Sequence, residues 1–67
     1  MRLQIDCSEY RNAWGKAPRG FGAWSFRILT SNGFPVMEQA SGLYGQALKV
    51  ARATARRVNG HTIRVEA

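Results

Sequence analysis

The side chains that could act as nucleophiles, bases or metal ligands are few and scattered along the chain. His61 is the only histidine and Cys7 the only cysteine, and a structural zinc site needs about four such ligands. Cys7 falls on the apolar face of a predicted strand, where cysteine behaves as a small hydrophobic residue. Asp6 and Glu9 are the only neighbouring acids, and no serine has a histidine and an acid to activate it. We therefore predict a non-enzymatic protein with no metal, no cofactor and no small-molecule substrate.

Cationic side chains recur along one side of a predicted helix. Lys49, Arg52 and Arg56 follow one another at i, i+3 and i+7, so they share roughly 60° of arc, and we expect Arg57 to lie alongside them. The helix contains no acidic residue, so no ion pair one turn away offsets these charges. A solvated face is one interpretation, but mixed charge would serve solubility equally well. The missing acids favour a binding face.

A second set of binding residues lies between residues 9 and 20, a stretch that we predict to be a long loop. Aromatic and cationic side chains alternate there, as they do where proteins bind single-stranded nucleic acid and at hot spots of protein interfaces. Trp14 follows neither a strand nor a helix pattern, so we expect its ring to be accessible and to contribute binding energy. The alternative is that the ring folds back as a lid on a small core. The residues predicted to contact a partner here are Arg11, Trp14, Lys16 and Arg19.

The balance of charge points to an anionic partner. Ten lysines and arginines against four acids give a net charge of +6, and eight of the ten are arginine. The guanidinium group binds phosphate and carboxylate through two parallel hydrogen bonds. Two hypotheses follow. The protein binds nucleic acid with low sequence specificity, or it docks on an acidic surface of a larger protein or nucleoprotein as an interaction or inhibitor protein.

The size of the chain limits it to one domain, residues 1–67. A domain this small buries only roughly 60% of its unfolded surface, so it needs a well-packed core or a homodimer for stability. A single cysteine is typical of a reducing compartment, and we expect the cytoplasm. The sequence has no signal-peptide pattern and no run near the ~18 apolar residues of a membrane span, so no membrane partner is expected.

The hydrophobic pattern predicts three strands before the helix. Residues 3–8 and 24–28 alternate between apolar and polar side chains, which is typical of half-buried strands. Asn32–Gly33 predicts a two-residue hairpin turn, which would pair Arg27 with Glu38. Pro35 cannot donate to a neighbouring strand, so the third strand should lie at an edge of the sheet.

From Leu43 to Val58 the period becomes helical, with Ser41 as the expected N-cap and Asn59–Gly60 as the stop. Alanines on its apolar side would let this helix lie close to the rings of two aromatic residues of the second strand. Residues 62–65 form a last strand, which a right-handed crossover places parallel to the first. The predicted fold is α+β in the order β-β-β-α-β, with strand order 3-2-1-4. It is a three-stranded antiparallel meander plus a C-terminal strand, with one helix packed on one face.

This layout resembles the first half of the ribonuclease H fold. Ile5-Asp6-Cys7-Ser8, Gly22-Ala23-Trp24 and the helix from Leu43 fall at corresponding places. That family needs a carboxylate on the helix, whereas this helix carries Gln46. The resemblance therefore implies the fold without the metal-dependent chemistry.

Two further resemblances imply binding functions. The run from Gly20 to Arg27 and the alanine-rich run from Ala47 to Arg52 are similar to the arm-type DNA-binding domain of tyrosine recombinases, which reads DNA with the sheet face opposite its helix. In size, charge and layout the chain also resembles the small sheet-plus-helix proteins of phages and mobile elements, which include anti-CRISPR inhibitors. These resemblances imply a nucleic-acid partner and a protein partner, respectively.

Overall fold

The computed structural model describes residues 3–66, which form a mixed four-stranded sheet and two helices. The predicted α+β class, and the predicted C-terminal helix followed by a last strand, are confirmed. The predicted single helix is wrong, because a second, short helix follows the first strand. In chain order the elements are β1 (Gln4–Asp6), α1 (Ser8–Trp14), β2 (Phe21–Thr30), β3 (Val36–Leu43), α2 (Tyr44–Arg57) and β4 (Gly60–Val65).

The order of strands in the sheet is β1-β4-β2-β3, so β4 lies between β1 and β2. β4 is parallel to β1, as predicted, and antiparallel to β2. The predicted meander and the order 3-2-1-4 are wrong. The side chains of Ile63 and Val65 in β4 are fully buried. A strand with a neighbouring strand on each side can bury its side chains more completely than an edge strand can. β1 has only three residues and takes the exposed edge.

The stretch predicted as a loop from Glu9 to Gly20 begins with helix α1. The backbone N–H of Ser8 donates to Oδ1 of Asp6 at 3.0 Å, which satisfies one of the free N–H groups at the start of the helix. Gly15, with φ at 70°, ends the helix, and its N–H donates to the carbonyl oxygen of Arg11 at 2.7 Å. With seven residues, α1 is too short to show a clear helical period in the sequence.

The hairpin between β2 and β3 is shifted by one residue from the predicted register. Glu38 lies opposite Phe26, and Met37 lies opposite Arg27. The connection spans residues 31–35 instead of two residues. Asn32 organises it with its side chain, because Oδ1 accepts a hydrogen bond from the N–H of Phe34 at 3.1 Å. A shift of one residue exchanges the faces of a strand, so Glu38 lies on the face covered by α2 and Met37 lies on the open face.

Helix α2 begins at Tyr44 and not at Leu43, because β3 extends through the predicted cap. Ser41 therefore belongs to β3, and the prediction that it caps the helix is wrong. The N–H of Tyr44 donates instead to the carbonyl oxygen of Gly20 at 2.8 Å, so backbone from the preceding loop satisfies the start of the helix. β3 does form an edge of the sheet, as the position of Pro35 predicted.

The core lies between α2 and the inner face of the sheet, as predicted. Small side chains of the helix meet large side chains of the central strands, and this lets the helix approach closely. Phe26 and Ile28 have no exposed surface, and Trp24 is 6% exposed. The buried apolar set is Trp24, Phe26, Ile28, Ala47, Ala51, Ala55, Ile63 and Val65.

Replacing Phe26 with Ala should lower the free energy of unfolding by roughly 3 to 5 kcal/mol, because the change leaves a cavity at the centre of this core. Met37→Ala is the matched control, since Met37 lies on the open face of the same sheet and is 51% exposed. We expect that control to change stability by about 0.5 kcal/mol or less. Chemical denaturation of both variants measures the difference. Similar losses for the two would mean that the sheet buries its other face.

Candidate basic interface

Three cationic side chains form a continuous stripe on one side of α2. Lys49, Arg52 and Arg56 are all exposed, and they lie away from the buried alanines of the helix. Arg52 and Arg56 line a cavity together with Leu3, which immediately precedes β1. The stripe therefore faces the side of the molecule where β1 lies. We call these three residues the basic flank.

Arg57 does not belong to the basic flank, although the sequence suggested that it lies alongside. Successive residues of a helix are about 100° apart, and this turns Arg57 away from Arg56. Nη2 of Arg57 lies 3.4 Å from Oγ1 of Thr54, and the same hydroxyl donates to the carboxylate of Glu38 on β3. Arg57 is thus turned toward β3, where its contact with Thr54 places it near an acid.

The acids of the sheet lie away from the basic flank. On the open face, Nη2 of Arg27 is 3.2 Å from Glu66, and Nε of Arg64 is 3.6 Å from Asp6. The pKa of Asp6 is lowered, first by the backbone N–H of Ser8 and then by its hydroxyl and by Arg64. These partly exposed pairs contribute little stability. Neither pair includes a residue of the basic flank, and among residues 3–66 no acid forms a salt bridge with that flank.

A cavity of about 590 Å³ opens beside the basic flank. Its walls come from the second half of α2, the start of β4, the turn after β2 and the residue before β1. Two arginines and one histidine line it, and no acid does so within the part of the chain that the structure describes. The lining residues are Leu3, Ser31, Arg52, Ala55, Arg56, Asn59, Gly60 and His61.

His61 is the residue of this site that the sequence did not reveal, because it falls between the predicted end of the helix and the predicted last strand. It lies near the start of β4, where the pairing with β2 shifts register, because Thr62 pairs with Leu29 and Gly60 pairs with Thr30. Its Nδ1 is 2.9 Å from Oγ1 of Thr62. Alternation along the last strand does not extend through this shift, so the sequence pattern could not place His61 in the cavity.

The second predicted set of binding residues divides between α1 and the segment that follows it. Arg11 and Trp14 lie on α1, whereas Lys16 and Arg19 come after its end, and all four are exposed. Arg11 and Lys16 line a shallow depression with Gly15. This depression shares no lining residue with the cavity beside the basic flank. The two predicted sets therefore form two separate surfaces.

Trp14 is 60% exposed, so it does not act as a lid on the core. Its ring lies 6.1 Å from the ring of Tyr10, which lies 5.6 Å from the buried ring of Trp24. Trp24 in turn meets Tyr44 edge-on at 5.0 Å. Trp14 is thus the outer member of an aromatic row that begins in the core, and it is held on a helix instead of a loop.

Comparison of the chain with models of protein families, with curated proteins and with solved structures finds no match. Within residues 3–66, neither helix is long and apolar enough to cross a membrane. The same residues contain no group of three His, Cys, Asp or Glu side chains placed to hold a metal ion.

Tyr44 connects the first turn of α2 to the end of β1. Its hydroxyl lies 3.9 Å from Sγ of Cys7. Burial, followed by the neighbouring Cys7 thiol, raises the pKa of Tyr44 to about 12, and the guanidinium of Arg52 offsets part of this effect.

This pKa predicts a loss of stability in alkali. Between the ordinary tyrosine pKa of 10.0 and about 12, the folded protein keeps a proton on Tyr44 that the unfolded chain has released. The free energy of unfolding should therefore fall as the pH rises through this interval. Denaturation of the native protein and of Tyr44→Phe at about pH 9 and about pH 11.5 measures it. The native protein should lose more stability than the variant, and equal losses would show that Tyr44 titrates normally.

Proposed function

We propose that the protein is a non-enzymatic nucleic-acid-binding protein of low sequence specificity, and that the basic flank of α2 contacts the phosphates. The observation that carries this proposal is the row of three exposed cations with no acid paired to it among residues 3–66. Contacts from lysine and arginine to phosphate fix position without reading bases, so such a surface binds with little sequence preference.

The spacing of the basic flank matches that of a phosphate backbone. At a rise of about 1.5 Å per residue, the distance along the helix axis from Lys49 to Arg56 is roughly 10 Å. For a helix that lies along the duplex axis, where successive phosphates of one strand advance about 3.4 Å, this distance corresponds to about three phosphate steps. The long side chains of Lys49, Arg52 and Arg56 can therefore reach neighbouring phosphates of one strand.

The placement of the acids supports the same proposal. Asp6 and Glu66 lie on the open face, and Glu38 lies beside Thr54 at the other side of α2. Each of these carboxylates offsets positive charge away from the basic flank. The basic flank therefore keeps its positive potential, which speeds the approach of a polyanion.

Removing charge from the basic flank should weaken binding in a salt-dependent way. For the double variant Arg52→Gln with Arg56→Gln, we expect at least tenfold weaker affinity for duplex DNA. The slope of log K against log salt concentration should fall by about 1.8, which is about 0.9 for each phosphate that the variant no longer neutralises. Titration of a labelled duplex at several salt concentrations measures both quantities.

Arg57→Gln is the matched control, because it removes the same charge from the neighbouring position, which is turned toward β3 and away from the basic flank. We expect Arg56→Gln to reduce the salt slope by about 0.9 and Arg57→Gln to change it by far less. Equal effects of the two substitutions would show that net charge and not the basic flank governs binding. Absence of binding by the native protein, to duplex and single strands alike, would refute the proposed function.

A second candidate function is docking on an acidic surface of a larger protein, and the exposed Trp14 is the observation that favours it. Trp and Arg are enriched among the residues that dominate protein interfaces. Trp14 presents its ring on a short helix, with Arg11 on the same helix and Lys16 just after it. The tryptophan is held through Tyr10, so little conformational freedom would be lost when it binds.

Trp14→Ala tests this second candidate. We expect the affinity for the partner to fall by more than about 2 kcal/mol, and the free energy of unfolding to change by less than about 1 kcal/mol. The partner is captured from a lysate with and without nuclease, and a protein retained after digestion is then titrated. Met37→Ala, an exposed apolar residue on the open face, is the control and should bind normally. Lost stability with unchanged binding per folded molecule would make Trp14 a structural residue.

A further inference from the structure

We infer that the cavity beside the basic flank is a binding site for a phosphate monoester, namely the terminal phosphate and first nucleoside of a nucleic-acid strand. The identity of this ligand as a strand end rests on the proposed function. The assignment of the site rests on four features of the cavity, which are its charge, its hydrogen-bond donors, its volume and its close packing at Gly60.

The charge of the cavity suits a doubly charged anion. Arg52 and Arg56 line it from one turn of α2, and His61 lines it from β4. A phosphate monoester carries about 1.5 to 2 negative charges at neutral pH, whereas a phosphodiester within a strand carries one. Two guanidinium groups from one turn of a helix can hold two or more oxygens of the same phosphate through charge-assisted hydrogen bonds.

His61 adds a directed hydrogen bond to this charge. Its ring is oriented by Thr62, whose Oγ1 is 2.9 Å from Nδ1. When the hydroxyl donates to Nδ1, the ring proton lies on Nε2, which is then a donor to a phosphate oxygen. Ser31 and Asn59 complete the polar lining with a hydroxyl and an amide. The cavity thus contains hydrogen-bond donors from three separate parts of the fold.

The volume of the cavity is larger than a phosphate group alone requires. At about 590 Å³ it falls within the roughly 300 to 1,000 Å³ of typical small-molecule sites. Leu3 and Ala55 contribute apolar surface to it, against which a sugar or base can pack. This combination of a cationic wall and an apolar wall fits a nucleotide better than it fits inorganic phosphate.

The shape of the cavity is set by close packing at Gly60. A Cβ atom at this position would lie 2.5 Å from Cγ2 of Ile28 and 3.2 Å from the Cβ of Ala55, so a larger residue would push the start of β4 away from α2. The glycine holds His61 and the end of the helix in a fixed relation. Packing therefore fixes the backbone position next to His61.

The direct test uses thymidine 5′-monophosphate as the probe and NMR spectra of the backbone amides as the measurement. We expect saturable shifts at Ser31, Asn59 and His61, and no saturable shift with thymidine. His61→Ala should weaken this binding roughly tenfold, as expected for one hydrogen bond to a charged group. Arg57→Gln should leave it unchanged. Absence of shifts at these three amides, or the same shifts with thymidine, would overturn the inference.

Three single-stranded oligonucleotides of one sequence then identify the source of the phosphate. They end in a 5′-phosphate, a 3′-phosphate or only hydroxyl groups. We expect one phosphorylated strand to bind at least fivefold tighter than the hydroxyl strand, with the preference lost in His61→Ala. Equal binding of all three strands without nucleotide shifts overturns this inference and leaves the proposed function intact. Nucleotide binding without affinity for any strand or duplex supports the site and refutes the proposed function.

Discussion

The close packing of a small-residue helix face on the inner face of the sheet is the contact on which the rest of this structure depends. Ala47, Ala51 and Ala55 have almost no exposed surface, and their methyl groups let α2 lie directly over Phe26 and Ile28. A chain of 67 residues has few large apolar side chains, so its core must bury those few completely. A narrow apolar stripe is sufficient for this purpose, and it leaves both sides of the helix free for polar and cationic residues.

The insertion of β4 between β1 and β2 determines which side of the helix has a cavity beside it. α2 packs over β2, β3 and β4, and β1 lies beyond them at the edge. The start of β4 and the residue before β1 then meet the end of α2, and the space between them is lined by Arg52, Arg56 and His61. In the predicted strand order, β1 would separate β4 from β2. His61 would then have no contact with β2, and the turn after β2 would not reach this space. The proposed phosphate site is thus a consequence of strand order.

The register of the hairpin determines the distribution of charge around the helix. With Glu38 opposite Phe26, its carboxylate lies under α2 and accepts a hydrogen bond from Thr54, near Arg57. One side of the helix therefore has an acid close to its cation, and the other side has the uncompensated basic flank. Asp6 and Glu66 pair with arginines on the open face. A net charge spread along the sequence becomes a charged surface only through this arrangement.

The features that could be predicted from the amino-acid sequence alone are those that depend on local periodicity. The core residues of β2, the alanine face of α2 and the shared arc of Lys49, Arg52 and Arg56 all follow from spacing along one element. The parallel relation of the first and last strands follows from the handedness of crossover connections.

Folding of the whole chain decided the order of the strands, the register of the hairpin and the formation of α1. Each of these depends on contacts between residues far apart in the chain, such as Tyr10 with Trp24 or the N–H of Tyr44 with Gly20. The same reason explains why the spacing of the cations was predictable whereas the cavity with His61 was not. Its walls come from four separate segments, and only the folded chain brings these together.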